Sequence, residues 1–408
     1  MILSDDYASM ANDYRKQGIK LKESRQFEEA LENFQKALKI NHELQKPHNV
    51  AIDLKEIADC YKNLRQYNEA KQAYSVSISI LEKEGYGESS DMAVLLNKLA
   101  ICYENSGCYN EAEPLYARSL EIDEKVYGPN HPEVAIDLSY LASLNETTGR
   151  YKEAEPLYLR ALEIDEKVYG LNHPDVAIRL NNLAALYSIT GRYKEAEPLY
   201  VRALEITEKV LGANHPTMSI RLNNLAALYN TIGRYAEAES MHLRSREITE
   251  KVHGPNHTEV ASNLNNLSNV YKDTGRYAEA EPLYIRTLEI DEKVYGPNHP
   301  TVAMRLSNLA ALYTIIGSYA KAEPMYLRSL EIIEKVYGPN HPTVAMRLNN
   351  LALLYQNTGR CAEAEPLYLR SLEINEKVYG PDHPNVATLL NNLALLYEDT
   401  SRYAEEEP

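Results

Sequence analysis

The stretch LNNLAALY, Leu180–Tyr187, returns letter for letter at Leu222–Tyr229, 42 residues later. Leu180, Leu183, Ala184 and Tyr187 fall at i, i+3, i+4 and i+7, the spacing of one helix face. Gly191, Arg192 and Tyr193 follow; glycine supplies the backbone freedom that a tight helix–helix turn needs. Ala196, Tyr200, Ala203 and Leu204 then mark one face of a second helix. Its alanines allow close approach, and Tyr200 fills the space between the two helices. The second helix runs on through EITEKVLG, and Gly212 suits a left-handed residue just past a helix end. In most units a proline follows that glycine and a second proline follows the next histidine, as in Gly296-Pro297-Asn298-His299-Pro300. The first proline cannot continue a helix, and the second is well placed to start one.

The Gly-[Arg/Ser/Cys]-[Tyr/Cys] turn or its close variant recurs at Gly107, Gly149, Gly191, Gly233, Gly275, Gly317 and Gly359, with Arg65 and Ser401 in the same register at either end. A period near 42 suits propeller blades, HEAT or armadillo repeats, or lengthened tetratricopeptide repeats. The chain has no tryptophan, and its apolar spacing is helical, which excludes the propeller. Two phenylalanines against 32 tyrosines in 408 residues fit one unit copied many times. Hydrophobic residues at 44% are enough for a continuous core. The net charge of −16 argues against a phosphate backbone as partner. Cys60, Cys102, Cys108 and Cys361 form no C-x-x-C pair, which suits a reducing compartment. The start, MILSDDYASM, has no basic region or apolar run of a signal peptide. No run approaches the ~18 apolar residues of a membrane span. These features make a cytoplasmic location the expectation, with no nucleic acid and no membrane as partner.

As a set, the Leu-x-x-Leu-Ala-x-Leu-Tyr first helix, the EAEPLY second helix and the G-x-N/D-H-P connector resemble the tetratricopeptide repeats of kinesin light chains and of similar bacterial proteins. The resemblance covers about Ala93 to Asp399. It implies an all-α fold, a right-handed superhelical solenoid of antiparallel helix pairs. Residues 1–92 read as two diverged repeats, with Gly18, Phe27, Ala30, Phe34 and Ala37 at signature positions of the first. Residues 93–386 read as seven regular repeats, and 387–408 as an incomplete tenth with its first helix only. Its alanine position is Glu406, and the chain stops at Pro408. A solenoid normally ends in a polar cap, so Leu393 and Tyr397 are expected to be poorly covered, and the chain reads as a fragment of a longer one. The heptad segment that joins a kinesin light chain to its motor is absent, so a motor-adaptor role is not carried over.

No phosphate-loop or nucleophile-elbow pattern is present, and no nucleophile is paired with a base, so no enzyme, no cofactor and no metal site is expected. Gly85-x-Gly87 stands alone. His131, His173, His215, His257, His299, His341 and His383 recur once per unit. Neighbouring units lie on the order of 10 Å apart, too far to share a zinc ion bound at ~2 Å, so these histidines read as turn or capping residues. Glu153 and Glu155 read as helix-start carboxylates. Cys60 and Cys102 share one repeat position and read as packing residues. Pro156, Pro198, Pro282, Pro324 and Pro366 lie about a turn into the second helix, at a cost of at most one backbone hydrogen bond. Arg118, Arg160, Arg202, Arg244, Arg286, Arg328 and Arg370 each precede a glutamate by three residues, as Arg160 does Glu163, and read as a solvated ion-pair face. Arg179, Arg221, Arg305 and Arg347 flank the apolar stripe of the first helix. They pair with neighbouring carboxylates or read an acidic ligand.

At ~100° per residue, Asn181 and Asn182 point away from the apolar face. The series continues with Asn223, Asn224, Asn265, Asn266, Asn308, Asn349 and Asn350, and then Asn391 and Asn392. Asparagine costs roughly half a kcal/mol against alanine in a helix interior, so something offsets the ladder. Its amides suit the backbone of an extended peptide, and the resemblance implies that use for groove asparagines at matching positions. Alternatively they bond the neighbouring repeat and orient it. The fold's chaperone-binding clamp of Lys, Asn and Arg is not matched, since Ile178, Met304 and Met346 stand where it needs basic residues. The expected function is a non-catalytic scaffold holding an extended or short helical peptide segment along the first helices. Ile189, Ile220, Met304 and Met346 would supply side-chain pockets. The alternatives are a structural solenoid that self-associates through its uncapped C-terminal end, and a regulatory module cut from a larger effector.

Overall fold

The computed structural model describes residues 2–400. Ser401, Glu406 and Pro408, where the sequence places the end of the tenth unit, lie outside the described residues. The described residues form nineteen α-helices and no strand. They are α1 Ile2–Glu23, α2 Phe27–Glu43, α3 Pro47–Asn63, α4 Tyr67–Lys83, α5 Ser90–Asn105, α6 Tyr109–Tyr127, α7 Pro132–Thr147, α8 Tyr151–Tyr169, α9 Pro174–Ile189, α10 Tyr193–Leu211, α11 Pro216–Thr231, α12 Tyr235–His253, α13 Thr258–Asp273, α14 Tyr277–Tyr295, α15 Pro300–Ile315, α16 Tyr319–Tyr337, α17 Pro342–Asn357, α18 Cys361–Tyr379 and α19 Pro384–Asp399. The even-numbered helices are second helices of their units, and those from α6 onward are 19 residues long. Most of these carry an internal proline and run through it unbroken.

Two kinds of turn alternate, and each has its own glycine geometry. Gly191 and its equivalents end the first helix at φ near +75°. In the diverged second unit that place is held by Arg65, at φ +60° with a side chain that this region disfavours. The connector glycines differ from expectation. Gly212 is not in the left-handed helical region but at φ +91°, ψ 156°, and Gly296 at φ +84°, ψ 161°. Proline follows Gly296 but alanine follows Gly212 and leucine follows Gly170, and all three share the high ψ, so the conformation belongs to the connector and not to the next residue. Glycine alone adopts this combination readily.

Contacts divide the chain into two compact units. One holds the residues up to Thr147 together with Pro156–Ile164, and the other holds Thr148–Glu155 together with the residues from Asp165 onward. In the first unit the core gathers Phe34, Tyr74, Met92, Leu96 and Ile122. Gly18 has no room for a side chain, since a Cβ there would meet the Phe34 ring at 2.7 Å. This core is also rich in buried carboxylates. Asp53 takes the Arg15 guanidinium at 2.6 Å, and Asp59 takes the Lys98 ammonium at 2.7 Å. Asp137 has no cation. Its Oδ1 accepts from Asn97 at 2.6 Å and from Ser119 at 3.2 Å. Burial pushes its carboxyl up; Asn97 opposes this and the neighbouring Asp123 reinforces it, so the group titrates at about 7.

In the second unit the apolar faces meet as the spacing requires. Leu309, Tyr313, Ala322, Tyr326, Leu351 and Tyr355 belong to one buried cluster that continues to α19. There the structure corrects an expectation. Leu393 is only 5% exposed, and Tyr397 packs partly buried against the same cluster. Both face α18, not the open side of the last helix.

The two backbone geometries predict opposite effects of substitution. Gly296→Ala meets no atom within 4 Å, so its cost is backbone strain alone, about 1–3 kcal/mol. Arg65→Gly removes such strain and gains up to about 1 kcal/mol. Urea denaturation followed by helical circular dichroism measures both. Asp137 predicts a pH dependence. Its folded pKa lies above the unfolded value of 3.8, so the native state holds the extra proton between them. The stability this confers is full below the unfolded value and is lost as pH rises through about 7. Melting temperatures recorded from pH 4.5 to 8.5 should fall more steeply for the parent than for Asp137→Asn.

Candidate interaction face

First helices of adjacent units touch: α9 meets α11, α11 meets α13, and α15 meets α17. They form a layer whose apolar residues are incompletely covered. Ile189, Ile220 and Met346 are each 56% exposed, and Met304 is 37% exposed.

The asparagines lie in the seams of this layer. Asn224 Nδ2 donates to Asn181 Oδ1 at 2.8 Å, Asn308 to Asn265 at 2.8 Å, and Asn392 to Asn349 at 2.8 Å. Asn350 donates to Ser307 Oγ at 3.2 Å. Each bond joins the second asparagine of one unit to the first of the unit before. It uses one donor and one acceptor of a pair of amides that hold more. No nitrogen or oxygen of Asn181, Asn182, Asn223, Asn224, Asn265, Asn266, Asn308, Asn349 or Asn350 is among the buried atoms left without a partner. One seam is rewired. Asn223 donates to Asn263 at 2.6 Å, and its Oδ1 meets His242 Nδ1 at 2.9 Å, so the bond from Asn266 to Asn223 is not made. The sequence signal is local, since His242 stands where other units carry tyrosine and Asn263 where they carry arginine.

The first-helix arginines divide into two kinds. Arg179 Nε donates to Asp165 at 2.8 Å, and Arg305 Nε to Asp291 at 2.8 Å. Both aspartates lie 14 residues earlier, on the preceding second helix. The residue 14 before Arg221 is Thr207, and 14 before Arg347 it is Ile333. Neither arginine has a carboxylate, and the Nε of each is buried without a partner. Desolvation lowers the pKa of both. Reading positions i and i−14 together would have separated the two kinds from sequence alone.

Other recurring residues are structural. Every connector histidine, from His131 to His383, accepts at Nδ1 from the backbone N–H two residues on, at 3.1 to 3.3 Å. Most stack on the tyrosine four residues before, as Tyr295 and His299 do at 4.3 Å. At His253 a histidine replaces that tyrosine. His253, His257 and Glu259 then bring ligand-type atoms within 4.8 Å of one another, the one such group among the described residues. The seven-histidine series did not point to it. Cys60 and Cys102 are buried, and burial pushes their thiols up to about 12 and about 11. The second-helix arginines bond further back than their i+3 glutamates: Arg160 reaches Glu124 at 2.6 Å, and Arg328 reaches Glu292 at 2.8 Å. Glu155 likewise does more than start a helix. It accepts from Tyr187 Oη at 2.9 Å and from Arg192 at 2.8 Å, both in the next unit.

A helix-pair solenoid with this turn and seam chemistry defines a repeat scaffold. The tetratricopeptide repeat model matches residues 91–167, 138–209, 175–251, 217–275, 259–326, 301–360 and 344–407, and a second model of the same repeat matches 56–80. The chain belongs to the tetratricopeptide repeat family, and that family is one of protein-interaction scaffolds. Among solved structures, BtubC from P. vanneervenii is 25% identical, over 56% of this chain and 92% of that one, with a TM-score of 0.47. The apo quorum sensor NprR from B. thuringiensis is 14% identical over 80% of this chain and 88% of that one, with a TM-score of 0.59. The Rap protein complexed with competence and sporulation factor is 16% identical over 92% and 99%, with a TM-score of 0.56. The last two share the fold. No curated protein matches. No helix among the described residues is long and apolar enough to cross a membrane.

The two kinds of arginine predict contrasting stabilities. Arg305→Met leaves the buried Asp291 carboxylate uncompensated and should cost about 3–5 kcal/mol. Arg347→Met removes a buried, unpaired charge and should leave stability equal or higher. Urea denaturation of the two variants beside the parent makes the comparison.

Proposed function

We propose that the chain is a non-catalytic scaffold that holds an extended segment of a partner protein along its first helices. The observation that carries this reading is the division of labour in the asparagine seams. Each bonded amide pair uses one donor and one acceptor to join two units. Its remaining donors and acceptors are not among the sealed atoms without a partner, although Asn181 and Asn265 themselves are buried. An extended backbone offers a carbonyl and an N–H at regular spacing, and a ladder of amides takes both without reading side chains. Exposed Ile220, Met304 and Met346 stand beside the ladder and would give the sequence preference. Several units acting on one segment add their contributions. The Rap structure, solved with competence and sporulation factor bound, supports the use of such a fold to hold another molecule. Cys60 and Cys102 are buried packing residues. A location in the cytoplasm accords with those unpaired thiols.

The seams supply a clean test, because Asn266 makes no bond to the unit before it while Asn224 does. Asn266→Ala should leave stability within about 0.5 kcal/mol of the parent, and Asn224→Ala should lower it by about 1 kcal/mol. Displayed random peptides are selected on the parent and on both folded variants. Peptides enriched on the parent and lost on Asn266→Ala support recognition by the ladder. Peptides retained equally by all three proteins move binding elsewhere. An absence of enriched peptides on the parent removes the reading.

A further inference from the structure

The connector between α12 and α13 differs from the other histidine connectors in its ligand chemistry. Each carries a histidine at the cap of the next first helix, and two further positions decide what stands around it. Four residues before that histidine the other units carry Tyr127, Tyr169, Leu211, Tyr295, Tyr337 and Tyr379; here the residue is His253. Two residues after it a carboxylate stands only at Glu133, Asp175 and Glu259. The second histidine and the carboxylate meet in one connector. Among the described residues, His253, His257 and Glu259 are the one group of three whose ligand-type atoms all lie within 4.8 Å of one another.

The trio lies within a single connector, so the distance between units does not limit it. The His253 ring stacks on His257 at 4.3 Å, in the register that tyrosine keeps elsewhere, as Tyr127 does over His131 at 4.4 Å. His253 Nε2 stands 3.3 Å from Glu259 Oε2. Two ligands of one tetrahedral ion, each bound at ~2.1 Å, are about 3.4 Å apart, so this pair already has the separation an ion needs. Such a contact is favourable only with a proton between the two atoms, and a divalent ion takes that proton's place. Bringing in the third ligand needs a small rotation of side chains that have room for it, since those of His253 and Glu259 are 28% and 54% exposed. His257 gives up a bond in exchange. Its Nδ1 accepts from the Glu259 N–H at 3.2 Å, and a metal takes an unprotonated nitrogen, so binding uses the lone pair that caps α13. Losing that cap weakens the site about fivefold.

We propose that His253, His257 and Glu259 bind one divalent ion of the zinc class, which clips the end of α12 to the first turn of α13. Two imidazoles and one carboxylate suit zinc, copper or nickel, whereas magnesium and calcium take oxygen shells. Three protein ligands leave a fourth position to water. His253 ends α12, where the helix dipole favours a cation, and the net charge of −16 draws cations to the chain as a whole. The site uses no residue of the asparagine seams and is independent of the scaffold reading.

The other units supply the variants. His253→Tyr restores the residue that most of them carry, and the fold should tolerate it. Tyr127→His builds the same trio with His131 and Glu133, in a connector that reads Gly-Pro-Asn-His-Pro-Glu against Gly-Pro-Asn-His-Thr-Glu here. Zinc chloride is titrated by calorimetry into the full chain, free of any polyhistidine tag, and into both variants. The cysteines are common to all three proteins and cancel in the comparison. The parent should bind one equivalent that His253→Tyr lacks or binds at least tenfold more weakly, and Tyr127→His should bind one more than the parent. Zinc should also raise the parent's melting temperature and leave that of His253→Tyr unchanged. Identical isotherms for the parent and His253→Tyr, no zinc on the parent, or no added equivalent on Tyr127→His overturn the site. An equal change in melting temperature for the parent and His253→Tyr overturns the clip.

Discussion

In four units a single glutamate ties the repeat to the next. Glu155, Glu197, Glu239 and Glu323 each accept a bond from the tyrosine that ends the apolar stripe of the following first helix. Each also takes the arginine of the turn beyond that helix, at 2.6 to 2.9 Å. The same guanidinium lies about 4 Å from the centre of the tyrosine ring. A single glutamate thus fixes the angle of a helix and the position of a turn at once. A helix pair cannot bury its apolar face alone, and this three-residue clamp sets how the next pair is presented to it. The ladder of asparagines inherits its spacing from that arrangement.

Against this constant frame, the pair at positions i and i−14 varies. It is two carboxylates at Asp137 and Asp123, an ion pair at Arg179 and Asp165, two polar groups at Asn263 and Thr249, and an arginine beside Ile333 at Arg347. The clamp fixes geometry, so the chemistry at this position is free to differ from unit to unit. Buried ion pairs contribute little net stability compared with apolar packing. A position where charge is neither required nor forbidden by the fold is a natural place for specificity.

The helices, the period and the turns were legible from apolar spacing and glycine placement, because those features repeat within a single unit. What escaped the sequence crosses from one unit to another. The bonds of Arg160 to Glu124 and of Tyr187 to Glu155 join residues 36 and 32 apart, beyond any helical period. The face of Asn181 and Asn182 was legible from the helical wheel, but the bond from Asn224 back to Asn181 depends on how two helices sit side by side. The connector glycines were misread because a glycine past a helix end has more than one positive-φ conformation open to it, and here it takes the extended one whether proline, alanine or leucine follows. Leu393 and Tyr397 were misread because the end of a chain was taken for the end of its packing.

The segment PNHPTVAMRL stands identically at 297–306 and 339–348, the mark of a copying event. One of the two units carries Arg305 with Asp291 ahead of it, the other Arg347 with Ile333. The likeness runs on both sides of that position, since Leu288, Glu289 and Ile290 match Leu330, Glu331 and Ile332, and residues 292–306 match 334–348. The two units thus differ in charge balance through one residue inside a stretch that is otherwise the same. Duplication supplies spare arginines in a fixed frame, and a single exchange at the residue ahead decides whether each is neutralised or stranded.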